Sequence, residues 1–216
     1  MSPKGPPSLV PRHPTAQRLI DAAVRAMDAE GEAGLRVDAI VADAGVTIPV
    51  LYHHFGNREG LVQAAHVARL RQSLDQAITE LEIALKAVHD RQGFLATIDV
   101  ILDRVFHPNQ DRHIRANVLG ATYGRPDLQA EVAELQRESW NRVAVLFAEP
   151  QRRGWIRSDL DLPVFVGWMF GLLLSRLLMD IQEGFLETSA WNGYTRLAIY
   201  TVMCGDAEFP PGLASS

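Results

Sequence analysis

From Thr15 to Cys204, apolar residues recur at the 3.6-residue period of an α-helix in almost every segment, and no segment alternates as a half-buried strand must. That pattern restricts the chain to an all-α fold of about nine helices. The first starts after Pro14 with Thr15 as its cap and carries Leu19, Ala22, Ala23, Ala26 and Met27 on one stripe before Gly31 and Gly34 end it. A short second helix spans about Val37 to Ala44, a third Thr47 to Phe55, and a long fourth runs from about Arg58 into the upper eighties. Further helices are predicted over 91–106, 111–122, 127–149, 163–183 and 189–204, bounded by Pro108, Gly124 with Pro126, Pro150, Gly154, Pro163 and Gly184. The natural division falls near residue 60, between a three-helix unit (15–60) and a larger helical bundle (61–205). A flexible arm (1–14) and a tail (206–216) flank them.

Composition narrows the function classes. With 216 residues, 47% of them hydrophobic, the chain can bury a substantial core. Its net charge of -5 advertises no nucleic-acid partner, yet residues 1–70 hold seven Lys/Arg against seven Asp/Glu and four of the seven histidines. The acidic excess therefore belongs to the rest of the chain. A single cysteine, Cys204, permits neither an internal disulfide nor a cysteine-ligated zinc site and suits a reducing cytoplasm. The apolar run from Val164 to Ile181 is interrupted by Arg176 and Asp180, short of the roughly 20 residues a membrane span requires. It reads as a buried helix of a soluble protein, and no membrane partner is expected.

The stretch VTIPVLYHHFGNREGL, Val46 to Leu61, carries the functional signal. His53 and His54 are neighbours on a helix and point about 100° apart, so they cannot grip one metal ion as an i, i+4 pair would. No metal site and no cofactor are expected. The chain also lacks a Gly-rich phosphate loop, a G-x-S-x-G elbow and a dinucleotide fingerprint, so an enzyme is not expected either. What the spacing does match is a helix-turn-helix, whose second helix lies in the DNA major groove. Its first helix is Val37 to Ala44, its turn Ala44-Gly45-Val46, and its second helix opens at Thr47. Leu51 and Phe55 face inward at i, i+4, which leaves Thr47, Ile48, Tyr52 and His53 outward. Thr47 is placed to cap, and Pro49 falls in the first turn, where a missing N–H costs little. A plain three-helix core would show many of the same residues.

The fuller pattern resembles the DNA-binding domain of the TetR family, the tetracycline-repressor-like transcriptional regulators. The resemblance covers about Thr15 to Ala64: Ala22-Ala23, Gly34-Leu35-Arg36-Val37, Ile40-Val41-Ala42-Asp43-Ala44-Gly45-Val46, and Leu51-Tyr52-His53-His54-Phe55-Gly56-Asn57-Arg58-Glu59 with Leu61. It implies a cytoplasmic, ligand-responsive repressor that binds a palindromic double-stranded DNA operator as a homodimer. In that frame residues 15–60 are the DNA-binding domain and 61–205 the ligand-binding and dimerisation domain. Thr47 matches a phosphate-contacting cap, Tyr52 and His53 positions that touch backbone or base edges, and Arg36 and Arg58 phosphate contacts. His54 and Phe55 match packing positions. The chain departs from the family at Ile48 and Pro49, where a basic or polar residue and a small one are usual. Isoleucine offers a base only apolar contact, such as a thymine methyl. The arm with Lys4, Arg12 and His13 could add minor-groove contacts or bind nothing.

In the bundle, Phe106, Tyr123, Trp140, Phe147, Trp168 and Met169 are the candidate lining of a pocket for a small hydrophobic or amphipathic effector. Each is also a candidate for plain core. Arg104, Arg115 or Arg176 could meet an acidic group, or sit in solvated salt bridges. A helix apolar on every side must be covered all round, so the segment around Gly167, Gly171 and Leu174, with Tyr194, Leu197 and Thr201 of the last helix, is the candidate dimer interface. The alternative from another class is a helical small-molecule-binding protein whose helix-turn-helix unit no longer reads DNA, a reading Ile48 and Pro49 make thinkable.

Overall fold

The computed structural model describes residues 13–107, 110–182 and 187–205. The arm and tail predicted above lie almost wholly outside these residues, as do the boundary residues Pro108 and Gly184. Among the described residues there are helices and turns but no strands, in the order α1 (Pro14–Glu30), a 3-10 turn (Glu32–Gly34), α2 (Val37–Asp43), α3 (Ile48–Phe55), α4 (Arg58–Lys86), α5 (Arg91–Phe106), α6 (Gln110–Ala121), α7 (Pro126–Arg152), α8 (Leu162–Leu174), α9 (Leu177–Asp180) and α10 (Thr188–Cys204).

Two compact units form. The first comprises residues up to Ser73 together with Asn117–Leu135; the second comprises Leu74–Ala116 and the chain from Gln136 onward. The first therefore reaches past residue 60 and recruits the end of α6, the α6–α7 turn and the start of α7. Its core is one buried cluster, built from Leu19, Ala22, Ala23 and Met27 of α1, Leu35, Ile40 and Val41 of the α2 segment, Leu51 of α3, and Leu61, Val62 and Ala65 of α4. These are the apolar positions that recur at helical spacing in the sequence, which is why short helices that would be marginal alone are held.

The second unit has its own core, with Phe94, Ile98, Leu102 and Phe106 of α5, Val143 and Phe147 of α7, Phe165 and Val166 of α8, and Ile199, Tyr200 and Met203 of α10. Tyr200 is buried, and its hydroxyl donates to the Leu95 carbonyl at 3.1 Å, so the one polar atom of that ring is satisfied.

Three local expectations are corrected. His13, not Thr15, caps α1: the Thr15 N–H donates to His13 Nδ1 at 3.2 Å, while Pro14 takes the first helical position and has no N–H to satisfy. Pro150 does not end α7 but sits inside its last turn, before Arg152. The helix predicted over 163–183 breaks at Ser175 and Arg176, where the Ser175 hydroxyl bonds back to the Leu172 carbonyl at 2.6 Å. Leu162–Asp180 is long and apolar enough to cross a membrane by length and composition, but it is not buried all round as expected: Val164 is 68% exposed.

Candidate nucleic-acid interface

Helix α3, the second helix of the helix-turn-helix, is anchored from below. Leu51 is 0% exposed and Phe55 packs against the same cluster, so one side of α3 is held by α1, α2 and α4. The turn leading into it uses Gly45 at φ +64°, where a Cβ would be strained, and the Val46 N–H donates to the Val41 carbonyl at 2.9 Å. The opposite side is open: Thr47, Ile48, Pro49, Tyr52 and His53 are all exposed. Tyr52 is 44% exposed although it stands between two anchored residues, and its ring is turned away from the core.

Thr47 occupies the cap position but its hydroxyl makes no capping hydrogen bond. This departs from the expected cap and leaves that hydroxyl beside the Ile48 N–H at the exposed start of α3, where a phosphate is favoured; Pro49 has no N–H, and the Val50 N–H already donates to the Thr47 carbonyl at 3.0 Å. Beside them, His54 is half-buried and stacks on His13 with ring centroids 5.4 Å apart. Burial, followed by the His53 and His13 charges, holds its imidazole below the usual histidine value. His54 therefore favours the neutral ring and packs, as its family position implies.

The match to the family described as bacterial regulatory proteins, tetR family, spans residues 19–65, which contain α2, the turn at Gly45 and α3. The HTH-type transcriptional regulator UidR of Escherichia coli K12 is 22% identical over 173 residues, 80% of each chain. A TetR-family transcriptional regulator from Cytophaga hutchinsonii superposes with a TM-score of 0.60 at 16% identity, over 88% of this chain and 94% of its own. A Saccharomonospora viridis protein in complex with choline gives 0.60 at 14% identity, over 87% and 96%. Residues 19–65 of this chain are a TetR-family DNA-binding domain.

In this TetR-family domain the two arginines matched to phosphate contacts differ in kind. Arg36 is exposed, and its side chain has no hydrogen-bond or ion-pair partner among the described residues. Arg58 does not fit the expected phosphate grip: it is half-buried, its Nε donates to the Leu35 carbonyl and one terminal nitrogen to the Glu32 carbonyl, each at 3.0 Å. It binds the start of α4 to the segment before α2, and the guanidinium is spent on backbone oxygens, of which the Glu32 oxygen also accepts from the Leu35 N–H at 3.3 Å.

A second set of contacts, not singled out in the sequence, ties the α6–α7 turn into this TetR-family domain. Arg125 donates to Glu32 Oε1 at 2.9 Å and to Glu59 Oε1 at 2.8 Å. The other Glu32 oxygen receives His66 Nε2 at 3.0 Å, and Arg69 meets Asp28 at 2.6 Å. Burial pushes the Glu32 carboxyl up, but hydrogen bonds from His66 and Arg125 outweigh it and hold the group below the usual glutamate value. A carboxylate so depressed stabilises the fold above its unfolded value and ceases to as pH falls through its folded one. Thermal midpoints should therefore drop more steeply below about pH 5 in the wild type than in Glu32→Gln; parallel melting profiles across that range would show that the network is not held by charge.

In the second unit the predicted pocket residues scatter. Phe106 and Phe147 are fully buried in the core, and Arg196 lies 5.0 Å over the Phe106 ring. Trp140 and Met169 are partly buried against the same core, and Trp168 is exposed on α8. Tyr123 belongs to the first unit and is 94% exposed on the α6–α7 turn, so it lines no interior of the chain; the turn ended at Gly124 throws it outward. Gly167 is likewise spent within the chain. A Cβ there would lie 3.0 Å from the Trp140 ring, so the glycine admits α7, not a second subunit. Gly171 faces open space, Leu174 is half-buried, and Tyr194, Leu197 and Thr201 are exposed.

Proposed function

We propose that the protein is a ligand-responsive repressor that binds a palindromic operator as a homodimer. The observation that carries the DNA half is the outward row Thr47, Ile48, Tyr52 and His53, standing on a helix whose inner residue Leu51 is completely buried. Such a helix can enter a major groove without giving up its own packing. Ile48 and Pro49 offer apolar contact only, so base reading falls mainly to Tyr52 and His53, with Arg36 and Thr47 positioning the domain on phosphates.

The dimer reading is supported by apolar residues left in solvent on packed helices: Val164, Trp168 and Gly171 of α8, and Tyr194 and Leu197 of α10. Two copies of this pair make a four-helix interface that would space the recognition helices about one DNA turn, roughly 34 Å, or a multiple of it. The effector half draws on the choline complex of the similar Saccharomonospora viridis structure. It also draws on chain continuity, because α6 and α7 each begin or end in the compact unit that carries α3. A ligand favouring one arrangement of those helices acts on operator affinity only through its differential affinity for the two states.

Fluorescence anisotropy with DNA from upstream of the gene's own start is the test. Two chains should bind each duplex, and Tyr52→Ala should weaken specific binding about tenfold or more while leaving binding to random DNA nearly unchanged. If no duplex competes better than random DNA across a range of salt, the repressor reading fails, and the helical small-molecule-binding alternative takes its place.

A further inference from the structure

Three arginines of the second unit lie over aromatic rings. Arg196 sits 5.0 Å above Phe106 and Arg153 4.9 Å above Trp155, and each also has a carboxylate partner: Asp99 and Asp103 for Arg196, and for Arg153 Glu149, which also meets Arg152. Arg115 of α6 sits 5.6 Å above the Phe170 ring of α8 and has none. Its Nε is cut off from solvent without an acceptor among the described residues. Asp111, one turn earlier, attracts it only from a distance. The buried carboxylate of the same unit, Asp180, is already shared by Arg112 at 2.6 Å and Arg176 at 2.8 Å.

The contrast extends to charge stability. Burial works against the Arg196 guanidinium, but Asp103 and Asp99 more than offset it; at Arg115 burial dominates and pushes the group below the usual arginine value. A desolvated cation with no anion beside it costs the folded state, and truncating it should cost nothing. Arg104, by contrast, is an exposed surface pair with Glu80.

We infer that Arg115, over Phe170, is the anion-binding element of the effector site, and that it takes an organic carboxylate with an apolar or aromatic body. The planar guanidinium matches a carboxylate through two parallel N–H donors, a fit an ammonium cannot copy. Leu173, three positions on and so on the same side of α8 as Phe170, is a partly buried hydrophobic that suits an apolar body rather than a fully hydrated anion. Phe170 precedes Gly171 by one position and so points about 100° away from the open side of α8. The assignment deepens the effector half of the proposed function and rests on it.

Thermal unfolding of the full chain without DNA tests it, using benzoate, 4-phenylbutyrate and decanoate as probes, each beside its neutral amide. At saturation at least one acid should raise the midpoint by about 3 °C or more and its amide should not. Arg115→Gln should abolish the rise and Arg115→Lys most of it, while the unliganded Arg115→Gln protein melts within about 1 °C of wild type or above it. The inference is overturned if no acid shifts the midpoint, if amides shift it equally, or if the shift survives in Arg115→Gln. It is also overturned if the unliganded variant melts much lower, which would reveal an internal partner. Loss of the dimer in sedimentation of Arg115→Gln would overturn it too, because the carboxylate would then come from a second copy. Anisotropy separates the two readings: acids that bind through Arg115 without releasing DNA leave the site standing and remove the repressor, and neutral compounds that release DNA do the reverse.

Discussion

Leu51→Ala will lower the thermal midpoint of the DNA-binding unit by more than about 10 °C and abolish operator binding at ordinary temperatures. Leu51 is 0% exposed and belongs to one cluster with Leu19, Ala23, Ile40 and Leu61, contributed by α1, α2 and α4. Removing its branched end leaves a cavity in a core that can close around it only partly, which costs about 2–5 kcal/mol. In a unit of this size each kcal/mol moves the midpoint by about 4–8 °C. The loss is large because α3 spans only Ile48–Phe55 and Leu51 is its one fully buried residue, so little else holds the helix to the domain. Differential scanning calorimetry of the full chain, with Leu51→Met as the volume-conserving control, reads the effect. A midpoint within about 2 °C of wild type would show that the recognition helix is not anchored through this residue.

Arg58→Ala will weaken operator binding without changing its salt dependence, and Arg36→Ala will weaken it while lowering its salt dependence and leaving the melting temperature unchanged. Arg58 donates to the carbonyls of Leu35 and Glu32, and hydrogen bonds from a charged group in a half-buried site contribute about 2 kcal/mol. Its loss should appear first as a lower melting temperature and only through that as weaker DNA binding. Arg36 is exposed and unpaired among the described residues. If it meets a phosphate, removing it lowers the slope of log affinity against log salt by about 0.9, with the fold intact. Titrations at several salt concentrations, paired with melting curves, separate the two. A reduced slope in Arg58→Ala with an unchanged midpoint would return Arg58 to the phosphate role that its family position implies.

Much of the DNA-binding half was legible because its determinants are local. Gly45 at positive φ, Pro49 in a first turn, and Leu51 and Phe55 one helical turn apart each act over four residues or fewer. Sequence order therefore specifies them, and the outward row of α3 follows by subtraction. The capping of α1 by His13 was missed because an imidazole nitrogen is an uncommon cap, and Thr15 two residues later looked sufficient. In the bundle, aromatic type said nothing about place. Phe106 and Tyr123 read alike as pocket candidates, yet one is core and the other fully outward.

By itself the sequence determined that the chain is helical, where its breaks fall in the DNA-binding half, which face of α3 is free, and which family these features match, while Pro150 and the break at Ser175 and Arg176 escaped it. Tertiary structure alone decided the partners of the charges. Arg58 meets carbonyls 23 and 26 residues away, Arg125 meets Glu32 at a separation of 93, and Arg112 meets Asp180 at 68, while Arg115 meets no carboxylate among the described residues. Backbone periodicity is a short-range property written into neighbouring residues. A guanidinium can pair with any carboxylate that the folded chain brings within about 4 Å, and only packing selects which one.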